Sequence, residues 1–261
     1  MNIVVCVKQV PDTTEVKINP ETNTLMREGV QSIVNPFDLY ALEEGLRLKE
    51  KQGGAVKTLS MGPPQAKEAL LETVSLGADD AYLLSDRAFA GADTLATSYA
   101  LAQGIRKCGQ VDLVICGRQA IDGDTGQVGP GIAEQLGLAH VSLVRKIREV
   151  KPESLVVERM TDDGYEVVEV RLPAVITVVK EINEPRVASL RGKMRAKSYQ
   201  VTVWSAADVE ADPERLGLKG SPTQVVRVFT PKRRGKGEML QGDVAAQVAA
   251  LFDRLREAGA V

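Results

Sequence analysis

Residues 111–130 read VDLVICGRQAIDGDTGQVGP. A short apolar run, 111–116, passes through a glycine-rich turn into the start of a helix near Val128. The run is apolar on both faces, as a strand buried on both sides must be. The helix is expected over 128–136, closed by Gly137. A doubly buried strand feeding a covering helix is one repeat of an α/β sheet.

The same repeat runs upstream. Residues 3–7 (IVVCV) form a strand-length run rich in β-branched side chains. A helix opens at Asn35-Pro36: Asn suits the N-cap, Pro the first helical position, and Asp38 the first turn. Leu39, Leu42 and Leu46 share one face, and Gly53-Gly54 ends the helix. Residues 56–61 are the next strand. Gly62-Pro63-Pro64 then turns into a helix carrying Ala66, Ala69, Leu70 and Val74, closed by Gly77. Residues 81–84 make a third strand, and Asp93 caps a helix over 94–107. With right-handed crossovers this is a doubly wound, Rossmann-like α/β layer around a mostly parallel sheet.

Downstream of about residue 140 the pattern changes. Two alternating runs, 154–160 and 165–172, flank Thr161-Asp162-Asp163-Gly164, a hairpin signature. Residues 174–179 return to the buried-strand pattern. From Asn183 strong periodicity is lost and Arg186, Arg191, Lys193, Arg195 and Lys197 mix with small residues. Residues 206–240 are irregular and include the basic run 232–236. A last amphipathic helix, about 243–258, carries Val244, Val248, Leu251, Phe252 and Leu255 on one side. The expected organisation is a nucleotide-binding domain at 1–182, with the hairpin at about 154–172, and a loop and arm at 183–261. Such a long stretch without its own core reads as a linker or as an arm folded on a partner subunit.

Composition removes whole classes of function. Lys plus Arg total 33 against 35 Asp plus Glu, a formal charge of −2, which lacks the basic excess of a nucleic-acid binder. Aromatics at 4% are too few for base-stacking platforms. The apolar runs fall far short of the ~20 residues of a membrane span. The first residues show no charged-then-apolar export signal. Three cysteines without a CxxC motif suit a reducing compartment, so a cytoplasmic location is expected. One histidine, His140, leaves no zinc-type ligand set and is read as structural.

The chemistry concentrates at residues 116–130. Ligands of open α/β sheets sit beyond the carboxyl ends of strands. A glycine-preceded helix start offers backbone N–H groups to an anion. Thr125 and Gln127 add neutral donors. Asp122 and Asp124 would repel a phosphate and better suit ribose hydroxyls, an adenine amino group or the turn's own N–H groups. The glycines at 123, 126, 129 and 131 fit neither GxGxxG nor a P-loop. The residues alone support a nucleotide site or a structural glycine turn. The ends of the first two strands, at Cys6-Val7-Lys8 and Met61-Gly62-Pro63, and the helix start at 35–38 converge on the same edge. No nucleophile elbow or acid–base pair stands out, and Cys6 and Cys116 lie in buried strands where thiols are inert. A nucleotide site without catalytic machinery describes a cofactor holder.

Seven motifs then carry a resemblance: residues 5–12 (VCVKQVPD), 35–38 (NPFD), 60–63 (SMGP), 77–79 (GAD), 117–125 (GRQAIDGDT), 172–177 (LPAVIT) and 183–186 (NEPR). In this order they resemble the β subunit of electron transfer flavoproteins, from residue 1 to at least 240. The resemblance implies a heterodimer with an α subunit that carries a mobile FAD. It implies that this subunit binds either structural AMP or the ADP part of a second FAD in electron-bifurcating members. The implied contacts fall on Cys6, Asn35, Pro36, Phe37, Asp38, Met61, Gly117, Arg118, Gln119, Ala120, Ile121, Asp122, Gly123, Asp124, Thr125, Gly126, Gln127 and Val128. No catalytic residue and no metal site is implied.

Residues 123–130 (GDTGQVGP) are similar to the bifurcating loop, with Gly126 in place of an expected Ala, which adds backbone freedom. Residues 216–223 (LGLKGSPT) resemble the arm of that group. Residues 189–194 (SLRGKM) resemble a recognition loop whose leucine, here Leu190, docks a dehydrogenase; the alternative is a buried packing leucine. Implied partners are NADH as donor, an acyl-CoA or other flavin dehydrogenase, and ferredoxin or flavodoxin as low-potential acceptor. Two other readings stand beside this one: a non-bifurcating β subunit holding AMP, and a stand-alone nucleotide-binding regulator.

Overall fold

The computed structural model describes residues 1–12, 32–226, 237 and 239–261. The chain divides into two compact units, Met1–Val226 and Arg227–Val261. The basic run at 232–236 lies outside the described residues.

In the first unit the elements follow in the order β1 (Asn2–Cys6), β2 (Gln9–Pro11), β3 (Ser32–Val34), α1 (Pro36–Gln52), β4 (Ala55–Met61), α2 (Lys67–Leu76), β5 (Asp80–Leu84), α3 (Thr94–Lys107), β6 (Leu113–Gly117), α4 (Val128–Leu136), β7 (Ala139–Val150), β8 (Ser154–Thr161), β9 (Gly164–Arg171), β10 (Ala174–Val178), α5 (Leu190–Ser198) and β11 (Thr202–Trp204). Nine strands form one sheet in the order β11-β5-β4-β1-β6-β10-β7-β8-β9. Every neighbouring pair from β11 to β7 is parallel, and β7-β8 and β8-β9 are antiparallel. β2 and β3 pair as a separate antiparallel ribbon.

The alternation of side chains along β1 explains the layering. Ile3 and Val5 face one way, onto Leu42 and Leu46 of α1 and Leu70 and Val74 of α2. Val4 and Cys6 face the other way, onto Tyr99 and Ile105 of α3 and Ile132 of α4. A strand with helices on both sides is expected to be nearly continuously apolar, which is the pattern of residues 3–7. The chain steps from β1 out to β4 and β5, then returns to β6 on β1's other flank. The strand order therefore reverses at β1, which is where such sheets open a binding crevice.

Three expectations change. The hairpin at 154–172 is part of a longer extension, because the 12-residue β7 pairs with β8 as well as β10. Residues 189–194 are not a loop: they open α5, where Ser189 Oγ caps the helix by accepting from Gly192 N at 3.1 Å. The compact unit also continues past residue 182. α5 packs on α2, and β11 extends the sheet beside β5, where Trp204 stacks on Tyr82 with ring centroids 4.4 Å apart. Packing against existing elements takes the place of a separate core for these residues.

The second unit contains α6 (Val244–Glu257), with Asp243 Oδ1 accepting from Ala246 N at 2.9 Å as its cap. All five apolar side chains expected on one face, Val244, Val248, Leu251, Phe252 and Leu255, are exposed.

Candidate cofactor site

The site is built at the carboxyl ends of β4, β1 and β6. Where β1 ends, the Lys8 backbone meets the start of α1. Asn35 N donates to Lys8 O at 2.8 Å, and Lys8 N donates to Asp38 Oδ2 at 2.8 Å. Asp38 is buried, and that burial pushes its carboxyl up to about 7. The opposing pull comes from bonds donated by the Asn35 side chain and by the Lys8 and Gly117 N–H groups. Gly117, the last residue of β6, lies directly on this corner. A Cβ there would collide with Asp38 Oδ1 and stand 2.7 Å from the Phe37 carbonyl carbon. Only glycine lets β6 and the α1 start approach so closely.

Asn35 occupies the N-cap position of α1, yet its side chain makes no cap bond. It reaches across to the turn after β6 instead. Nδ2 donates to Gln119 O at 2.9 Å, and Oδ1 accepts from Ile121 N at 3.1 Å. The expected side-chain cap is replaced by a clamp, in which the fully buried amide bonds two backbone groups of one neighbouring turn.

The turn is organised internally as well. Gly123 N and Asp124 N both donate to Ala120 O, at 3.3 and 2.9 Å. Gln119 Nε2 donates to Asp124 Oδ1 at 2.7 Å, and Arg118 Nε donates to Gln119 Oε1 at 2.9 Å. Asp124 and Gly126 have φ values of +50° and +63°, the left-handed conformation that Gly takes readily and Asp tolerates. Lys8 Nζ bridges both oxygens of Asp122, at 2.7 and 2.8 Å. The two acids that would repel a phosphate are therefore both engaged, one by an ammonium and one by an amide. Residues 121–127 remain exposed. Thr94 Oγ1, at the start of α3, lies 3.0 Å from Gln127 Oε1 and donates to it.

The helix ends add the decisive electrostatic feature. α1, α2 and α4 have no side-chain cap at their N-termini. α3, α5 and α6 are capped by Asp93, Ser189 and Asp243. α2 and α4 follow β4 and β6, and α1 follows β1 by way of the β2–β3 ribbon, so their N-termini lie toward one edge of the sheet; α2 continues from a turn at Pro64–Ala66 that already takes the Ala66 and Lys67 N–H groups. Uncapped N–H groups and the helix dipole together favour an anion.

Of the expected contact residues, Asn35, Asp38, Gly117, Gln119 and Ile121 are joined by direct bonds or packing. Asp122 is joined through Lys8 and Gln127 through Thr94. Pro36 and Phe37 form the first turn of α1, and Met61 ends β4, packed on the core. Cys6 is buried beside Cys116, its register partner on β6; the Cys116 contact and burial raise its thiol well above the usual range. Its side chain belongs to the core, and its backbone pairs with β4 and β6 on its two flanks. Lys8 is expected at this edge as the end of the first strand, but its pairing with Asp122 is not; Thr94 lies outside the expected contacts and carries no signal beyond the Asp93 cap.

Leu190 is elsewhere, on α5, and is 77% exposed. That exposure removes the reading of a buried packing leucine. A cavity of about 270 Å³ beside Tyr99, Arg215 and Lys219 is also distinct from the turn at 117–127. Among the described residues there is no cluster of three His, Cys, Asp or Glu side chains fit for a metal, and no helix long and apolar enough to cross a membrane.

Comparison with known proteins bears on this geometry. The electron transfer flavoprotein domain family matches residues 22–209. The chain is 54% identical over 256 residues to the electron transfer flavoprotein subunit beta of Thermoanaerobacterium thermosaccharolyticum, covering 98% of each chain. It is 52% identical over 259 residues to the caffeyl-CoA reductase-Etf complex subunit CarD of Acetobacterium woodii, again covering 98% of each. It is 48% identical over 260 residues to protein FixA of Azorhizobium caulinodans, covering 97% of this chain and 92% of that one.

Proposed function

Because the chain belongs to the electron transfer flavoprotein family, among its β subunits, we propose that it pairs with an α subunit and holds the ADP part of an FAD at the ends of β4, β1 and β6. The observation that carries this reading is the convergence of three helix N-termini without side-chain caps at one sheet edge. Their N–H groups suit a diphosphate. The donor chemistry fits, because Lys8 neutralises Asp122 and Gln119 occupies Asp124.

Each residue has a binding or orienting task. Asn35 fixes the turn at 119–121, Gly117 opens the corner beside Asp38, and Thr125 and Gln127 offer exposed polar side chains at the mouth. When bound, the flavin supplies one- and two-electron chemistry, while the protein supplies position and electrostatics. The sequence at 123–130 favours the bifurcating form, with NADH as donor and a low-potential acceptor such as ferredoxin or flavodoxin. The exposed Leu190 docks a flavin dehydrogenase of the acyl-CoA type; the CarD relative is itself named as part of a caffeyl-CoA reductase-Etf complex. The exposed apolar face of α6 packs on the α subunit, since a helix of this length needs a partner surface to be stable in water.

The test is cofactor stoichiometry. Cofactors extracted from the purified α/β complex are expected to give two FAD per heterodimer. One FAD and one AMP would overturn the bifurcating form and leave the nucleotide site standing. No adenine nucleotide beyond the α subunit's FAD would overturn the site itself, and a stable monomer with no α partner would favour a stand-alone regulator.

A further inference from the structure

The segment between β10 and α5 is tied to α1 by charges that the cofactor site does not use. Glu43, on α1, is a buried carboxylate. Burial pushes its pKa up, but the Arg186 and Arg47 bonds outweigh burial and hold it below the usual carboxylate range. Arg186 grips it with a fork: Nε donates to Oε2 at 2.7 Å, Nη2 to Oε1 at 3.3 Å, and the Arg186 backbone N to Oε2 at 3.1 Å. Arg186 Nη1 donates to Glu50 Oε1 at 2.6 Å, about two turns further along the same face of α1. Arg47 closes the grip from α1's side, donating from Nη2 to Glu184 O at 3.1 Å and from Nε to Glu43 Oε1 at 2.7 Å.

A fork between two carboxylates on one helix fixes direction as well as distance. A buried ion pair is rarely the cheapest way to stabilise a surface segment; well-packed apolar residues often do as well. What it specifies here is where the chain goes next. Only residues 187–189 separate Arg186 from α5. The far end of α5 is fixed independently. Arg195 donates to Ala78 O at 2.8 Å and Asp79 O at 2.6 Å, and Tyr199 Oη accepts from Ala81 N at 2.9 Å. Gly192 lies so close to Ser75 O that a Cβ would collide with it. The exposed apolar side chains Val187, Leu190 and Met194 stand between these two anchors.

We propose that Arg186 is a positioning residue for partner docking: by clamping the approach to α5 onto Glu43 and Glu50 of α1, it sets the direction in which Leu190 and Met194 are presented. This rests on the reading of Leu190 as a docking residue, and the clamp aims that contact without touching the partner.

The experiment uses the intact α/β complex and a flavin dehydrogenase that turns over with the wild-type complex. Arg186→Gln is expected to raise the KM for the dehydrogenase about tenfold with kcat within about twofold, the split expected when binding alone is lost. Flavin content and reduction by NADH stay at wild-type values. Arg186→Lys, which keeps the charge but loses the fork, is expected to fall between. Leu190→Ala separates the two layers. If Leu190→Ala raises KM and Arg186→Gln does not, the clamp's role is overturned and docking through Leu190 stands. If Leu190→Ala leaves KM unchanged, the docking reading falls, and this proposal with it. Should Arg186→Gln fail to fold, Glu50→Gln removes only the exposed arm of the clamp. It is then expected to raise KM by about twofold to threefold, and an unchanged KM in a folded Glu50→Gln complex overturns the proposal.

Discussion

Asn35 holds Gln119 across 84 positions of sequence: its Nδ2 donates to the Gln119 carbonyl at 2.9 Å while its Oδ1 accepts from Ile121 N at 3.1 Å. One amide thus joins the N-terminus of α1 to the turn before α4. Asn35→Ala leaves a partly buried carbonyl and a partly buried N–H without their partner, a loss of at most roughly 1–3 kcal/mol for each group stranded. The expected outcome is a lower melting temperature for the complex and loss of its second adenine nucleotide on gel filtration. Full retention of that nucleotide would show that the turn holds its shape without the clamp.

Asp38 gives the fold a pH dependence with a definite sign. Its pKa is raised from 3.8 to about 7 by burial. Between these values the folded chain binds the proton more tightly than the unfolded chain does. The Asp38 contribution to stability therefore falls as pH rises from about 4 to about 7, and stays at its lowered value above that. Asp38→Asn removes the titration. In denaturant titrations from pH 5 to pH 8, the variant is expected to gain on the wild type as pH rises, by an amount on the order of a few kcal/mol across the window. A stability difference that does not vary with pH would mean that Asp38 does not titrate there.

Gly117 is a steric prediction. Its added Cβ would meet both the Asp38 carboxylate and the Phe37 backbone, which cannot rotate away. Gly117→Ala is expected to separate the end of β6 from the start of α1, at a cost of about 1–3 kcal/mol for overpacking. Nucleotide retention should fall further than stability does. By contrast Gly123 has open space around it, and Gly123→Ala is expected to keep the cofactor. Equal behaviour of the two variants, measured by retained nucleotide, would contradict this difference.

The legible parts of the fold were those with a one-dimensional signature. β1 and β6 are apolar on both faces, Asp93 caps α3 as its type suggests, and α4 spans Val128–Leu136 between a glycine turn and Gly137. A strand is expected to open at His140, but the full reach of β7 to Val150 is not legible, because its register shifts between Val144 and Lys146 and again between Ile147 and Glu149, which breaks the period-two pattern. α5 hid because none of its residues is buried; it is held by Arg195, Ser189 and a close approach at Gly192 rather than by an apolar stripe. β2, β3 and β11, at three residues each, are too short to show a period. In the site, the glycine turn was visible because its residue types are unusual in sequence. The Asn35 clamp and the Lys8–Asp122 pair were not, because they span 84 and 114 positions and nothing local distinguishes them from a cap and a surface lysine.

Leu190 separates packing from recognition by a simple measurement. A buried leucine cut back to alanine costs roughly 2–5 kcal/mol. Leu190 is 77% exposed, and Met194, one turn further along α5, is 64% exposed, so neither contributes to the core. Leu190→Ala is therefore expected to leave thermal unfolding of the complex unchanged, within the roughly 0.5 kcal/mol typical of surface substitutions. Its effect should appear only when a partner covers the patch. There the loss of an apolar anchor costs roughly 1–3 kcal/mol of association, about a five- to 150-fold weaker complex. Titration calorimetry with the dehydrogenase, run beside thermal unfolding of the same preparation, reads both quantities. A melting temperature that falls while the dissociation constant stays fixed would place Leu190 in the fold and not at the interface.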